Sequence, residues 1–166
     1  MRAGRRGSCV LAAAMLATAL AMAPARAHAQ NTTLTVAGGP VAFPTPTSTD
    51  LNLGYVNAPA PLTFTVDATS GAASQQRTTT VYISGATATL GGTKPIGDLQ
   101  YSVSSPGSWQ SLTTTAVRIA GPTVVARNRM NDTWGGTVYF RMLVAWTDAP
   151  GTYSGTVVVT MTVSQP

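Results

Sequence analysis

YSGTVVVTMTV, residues 153–163, alternates along its length. Tyr153, Gly155, Val157, Val159, Met161 and Val163 fall on one side; Ser154, Thr156, Thr160 and Thr162 fall on the other, with Val158 the one apolar residue out of phase. A period of two marks a strand with one buried face, because successive side chains of an extended chain point to opposite faces. The preceding stretch, residues 137–146, repeats the pattern. Val138, Phe140, Met142, Val144 and Trp146 share a face, and Tyr139, Arg141, Leu143 and Ala145 take the other. Both faces carry large side chains, so this strand is expected to be central and covered on both sides, with Trp146 in the core. Pro150-Gly151 stands between the two stretches and is a turn dipeptide. Residues 137–163 are therefore expected to form a β-hairpin.

Working outward, the same alternation recurs in short pieces. Residues 32–37, 51–56, 62–68, 79–84, 99–103, 109–112, 117–120 and 123–126 each read as strands, and 86–90 is a weaker one. Thr supplies 26 of residues 30–166, and a β-branched side chain suits a pleated, half-exposed face. Gly91-Gly92 and Gly135-Gly136 read as hairpin turns or bulges. No helical pattern is available for the crossovers that parallel strands require. About 8–10 short strands in one chain imply an all-β antiparallel sandwich or barrel. The polar stretches 45–49 and 68–78 are too short for interdomain linkers, so residues 30–166 are expected to form a single domain.

The first 29 residues read as an address. Arg2, Arg5 and Arg6 precede a 14-residue apolar run, residues 10–23, and Ala27-His28-Ala29 supplies a small-x-small cleavage pattern. That order of parts is a secretory signal peptide. The run is shorter than the ~20 apolar residues of a membrane-spanning helix, so no transmembrane anchor is expected after processing. Cys9 lies before the run, where a lipoprotein signal would place it after. Arg5-Arg6 alone is weak evidence for a twin-arginine route.

Removing residues 1–29 changes the charge. The whole chain is formally +5; residues 30–166 carry six Arg and Lys against five Asp, a formal +1. The basic excess that would invite nucleic acid sits mostly in the targeting segment, so no nucleic-acid partner is expected. Residues 30–166 contain no Cys, His or Glu. Zinc and copper sites of the usual kind and His-dependent nucleophilic catalysis therefore lack their ligands and bases. No metal, cofactor or enzymatic activity is expected, and stability must come from packing and sheet hydrogen bonds.

DAPGTYSGTV, residues 148–157, resembles the end of bacterial exported immunoglobulin-like β-sandwiches, among them the spore-coat-U-like and fimbrial subunit families. The likeness is limited to the C-terminal part of the chain. It implies an immunoglobulin-like sandwich with a structural role and no catalytic residues. Asp148 and Tyr153 also look like a tyrosine corner, in which the phenol bonds backbone at the end of the sandwich. Many pilus subunits carry a disulfide, and this chain, with one cysteine, departs from them there.

Two kinds of candidate contact residue stand out. Trp109 and Trp134 lie beside Ser and Gly turns and could offer stacking faces to a glycan, together with the tyrosines; core packing is the alternative. Arg127 and Arg129 could meet an anionic partner, or lie in a solvated loop. The leading expectation is an exported structural protein of a coat, pilus-like or adhesive assembly. It would self-associate, or join another β-rich protein, by strand addition. Residues 32–43 are either the donor strand or the ordinary first strand of the domain. The alternative is a non-catalytic secreted binding module for a glycan or protein ligand.

Overall fold

The computed structural model describes residues 31–165 apart from 39, 70–75, 92, 104–106, 127–129 and 150. The expected signal peptide, Arg127 and Arg129 lie outside the described residues. Strands β1 (Thr32–Ala37) and β2 (Val41–Ala42) are followed by helix α1 (Ser48–Leu53) and then by β3 (Tyr55–Asn57), β4 (Leu62–Ala68) and β5 (Arg77–Gly85). β6 (Thr89–Leu90), β7 (Lys94–Pro95), β8 (Leu99–Ser102) and β9 (Gln110–Ser111) are short; β10 (Val117–Val125) and β11 (Asp132–Leu143) are long. β12 (Ser154–Gly155) and β13 (Val157–Ser164) end the series.

The fold is an all-β antiparallel sandwich. The larger sheet runs β1-β4-β11-β8-β9, with β3 pairing β11 where β4 leaves off, and the smaller runs β10-β5-β13. β12 pairs β2 and β6 pairs β7 as separate ribbons. Alternation explains which side chains meet. Leu62, Phe64 and Val66 of β4, Leu99 and Tyr101 of β8, and Val138, Phe140 and Met142 of β11 are buried from the larger sheet. They face Val81 and Ile83 of β5, with Val157, Val159 and Met161 of β13 packed alongside. Among the described residues no helix is long and apolar enough to cross a membrane.

Several expectations are corrected. β11 and β13 do not form a hairpin: they belong to different sheets, and the chain passes from one sheet to the other between Leu143 and Val157. Two bonds divert the chain. The Val144 amide donates to the Gly54 carbonyl, and the Phe43 amide donates to the Tyr153 carbonyl. β11 stops at Leu143, so the parity that would bury Trp146 is broken, and Trp146 is 67% exposed. β11 is central, but only one of its faces is fully covered; Tyr139, Arg141 and Leu143 are half-buried.

Residues 48–53 are a helix and not part of a strand. Thr47 accepts the Asp50 amide on its hydroxyl, and Asp50 accepts the Thr47 amide at 2.8 Å, a reciprocal cap that satisfies otherwise orphaned donors. Gly54, at φ 79°, ends the helix in the left-handed conformation glycine tolerates. The pieces 117–120 and 123–126 are one strand, β10, whose register shifts absorb Pro122 on a sheet edge. Gly135 and Gly136 lie within β11, where a Cβ on Gly136 would stand 2.8 Å from the Phe64 ring. Gly91 does lie in the β6–β7 turn, at φ 57°. Val103 is 52% exposed just past β8. Residues 32–37 pair with β4 of the same chain over their whole length, as its first strand.

Candidate functional site

Three strands of the larger sheet turn side chains away from the core toward one spot. Arg141 of β11 lies opposite Asn57 of β3 on one side and Gln100 of β8 on the other. Directly paired residues of antiparallel strands share a face, so Asn57, Gln100 and Arg141 are outward together. Tyr55 and Tyr139 join them by two-residue parity. β9 adds Trp109 just before Gln110, and the buried Tyr101 hydroxyl donates to the Gln110 side-chain carbonyl at 2.9 Å, fastening β9 to β8. Burial raises the Tyr101 pKa above the ordinary tyrosine value, so the phenol stays protonated as a donor.

At the centre, the Arg141 guanidinium carbon stands 4.6 Å from the centroid of the Trp109 ring and 4.9 Å from that of Tyr55. Its Nε donates to Gln100 Oε1 at 2.7 Å. Cation–ring attraction and a short hydrogen bond fix a side chain that otherwise samples many rotamers. Around it lies a groove of about 460 Å³ walled by Pro59, Pro61, Asn57 and Tyr139. That volume lies within the range of small-ligand sites. Proline stiffens the wall, and helix α1 with its Gly54 cap sets where Tyr55 enters β3.

Trp134 has a different setting. Its indole nitrogen donates to Thr79 Oγ1 of β5 at 2.9 Å, joining the two sheets, and its ring meets Phe64 edge-on at 5.8 Å. It is a packing residue between the layers, so the structure does not bring the two tryptophans together. Trp146 rims a second hollow of about 290 Å³ beside Leu51 and Tyr153.

Asp148 and Tyr153 lie between β11 and β12, with separate partners. The Tyr153 hydroxyl donates to the Ala149 carbonyl, four residues upstream, and its ring is buried. Asp148 accepts the Ala145 amide at 2.8 Å and holds the buried Lys94 ammonium at 2.7 Å. Asp98 completes the set at 2.9 Å from the same nitrogen. The hydrogen bond from Lys94 holds the Asp148 carboxyl below the usual carboxylate range. Burial works to lower the Lys94 pKa, but the bonds and charges of Asp148 and Asp98 outweigh it and leave the ammonium above the ordinary lysine value. This cluster braces the chain where it passes from one sheet to the other; the groove around Arg141 is the better candidate for contact with a ligand.

Sequence reading found Trp109 and missed Arg141. The available signal was the shared parity of Tyr139 and Arg141, which places them together on whichever face of β11 is open. Among the described residues no group of three or more Asp, Glu, His or Cys side chains is disposed to hold a metal. The chain matches no model of a known protein family, no curated protein and no solved structure.

Proposed function

We propose that the protein is an exported, non-enzymatic β-sandwich of the cell surface that binds a ligand on the outer face of its larger sheet. The observation that carries this reading is Arg141, fixed between the Tyr55 and Trp109 rings beside an open groove. Cation–ring contacts and the bond to Gln100 hold the three side chains to one another. Prior ordering of that kind lowers the entropy cost of recognition. Export rests on the order of charge, apolar run and cleavage pattern in residues 1–29. The immunoglobulin-like character rests on the likeness of residues 148–157 to exported surface subunits.

A glycan array probed with the purified protein and with Trp109→Ala tests the binding reading. Binding that the substitution abolishes supports it. An array on which neither protein binds overturns it. Mass spectrometry of the secreted product tests export, with Gln30 expected as the first residue.

A second reading, a subunit of a surface assembly, is supported by β13. It is the outer strand of the smaller sheet, with no charge and no proline, and Val158 and Val163 are 36% and 44% exposed. The other edge, β10, carries Arg118, Pro122 and register shifts, devices that deter pairing between sheets. Size-exclusion chromatography distinguishes the cases. Large species dispersed by Val158→Lys support assembly through β13, and a monomer at every concentration contradicts it.

A further inference from the structure

We infer that the groove at Arg141 recognises a carboxylate carried on a sugar ring, that is, an oligosaccharide containing hexuronic acid; this rests on the binding reading above and names its ligand. Three observations lead there.

The first is the state of the guanidinium. Nε is engaged with Gln100, and the two rings cover the cation from nearby. Among the described residues no acceptor meets the terminal nitrogens. Their planar fork matches the two oxygens of a carboxylate, forming paired charge-assisted bonds that a lysine cannot reproduce.

The second is the missing counter-charge. Asp98 and Asp148 are taken by Lys94, Asp67 accepts the Thr133 hydroxyl at 2.7 Å, Asp50 caps α1, and Asp132 stands opposite Ala68 at the far end of β11. Among the described residues no carboxylate forms an ion pair with Arg141, which leaves its charge open to an anion that a ligand brings.

The third is the kind of surface. At Arg141 and Met142, β11 is paired on one side by β8 and on the other by β3, so its main-chain groups there are committed to the ladder. An extended peptide cannot add to β11 as a strand over the floor of the groove, because strand addition requires a free edge. Recognition falls to side chains: the Asn57 amide and Tyr139 hydroxyl for sugar hydroxyls, and ring and proline faces for the apolar side of a pyranose.

Calorimetric titration of the purified protein tests this. The probes are a tetramer of 1,4-linked hexuronic acid, the neutral tetramer of the same linkage with hydroxymethyl in place of carboxylate, and an acidic peptide. The acidic sugar is expected to bind about tenfold or more tightly than the neutral one, the scale of a bond to a charged group. R141Q and R141K are both expected to remove that preference, because charge without the fork is not enough. Should either variant unfold by circular dichroism, the comparison of the two sugars on the wild-type protein decides. Equal binding of both sugars, unchanged in R141Q, overturns the carboxylate inference and leaves the binding face standing. Binding of the peptide alone overturns the sugar. Binding of no probe by a folded protein overturns both the inference and the reading beneath it.

Discussion

The Lys94 ammonium and Asp148 Oδ2 lie 2.7 Å apart, joining the short strand β7 to the turn that leads the chain from one sheet to the other. The two residues are 54 positions apart in sequence. The ammonium is nearly buried and also stands 5.8 Å from the Tyr153 ring centroid. A buried cation that loses its partner keeps its desolvation cost. Asp148→Ala is therefore expected to lower stability by about 2 kcal/mol, since it also frees the Ala145 amide. Asp98→Ala removes a more exposed partner at an i,i+4 spacing and should cost less than about 1 kcal/mol. Urea denaturation of both variants checks the order; equal losses would contradict it.

The same pair sets a pH window. Asp148 has a depressed pKa, so its contribution is present above the ordinary value of 3.8 and is lost as pH falls through the depressed value. Lys94 has a raised pKa, so its contribution is complete below 10.5 and is lost as pH rises through the raised value. The stability gap between wild type and Asp148→Asn should be constant from about pH 5 to about pH 9 and close at more acid pH. A gap that widens as pH falls below 3.8 would contradict the pairing.

Tyr153→Phe keeps the buried ring and removes the hydroxyl that bonds the Ala149 carbonyl. A loss of about 1 kcal/mol is expected, the usual net worth of such a bond. Thermal unfolding measures it, and an unchanged midpoint would show that the bond does not brace the crossing.

Thr47→Ala removes the cap of α1, the helix that leads into Tyr55. The expected cost is about 1 kcal/mol, and it should be local. Hydrogen exchange should quicken at the Leu51 and Gly54 amides, which bond to Thr47 and Asp50 carbonyls, while amides of β4 stay protected.

How much of this was legible in the sequence depended on whether a pattern had one structural meaning. Residues 32–37 and 62–68 alternate cleanly, and they are β1 and β4 with the expected bounds. Leu51, Leu53 and Tyr55 also alternate, yet the reciprocal cap between Thr47 and Asp50 outweighs that pattern and makes a helix. Pro150-Gly151 says nothing about which sheet the next strand joins; long-range pairing of β13 with β5 decides that. At the candidate site, Trp109 stood out by residue type. Arg141 did not, because its importance comes from neighbours on β3, β8 and β9 that only the strand order brings together.

The most direct test of a ligand face on the larger sheet is an NMR titration of the purified protein with the hexuronic acid tetramer, following side-chain signals of the tryptophan indoles and the Arg141 Nε–H. Shifts at Trp109 and Arg141, with Trp134 unmoved at its bond to Thr79, are the expected result. Saturable shifts centred on Trp134 or Trp146, with Trp109 and Arg141 unchanged, would contradict it.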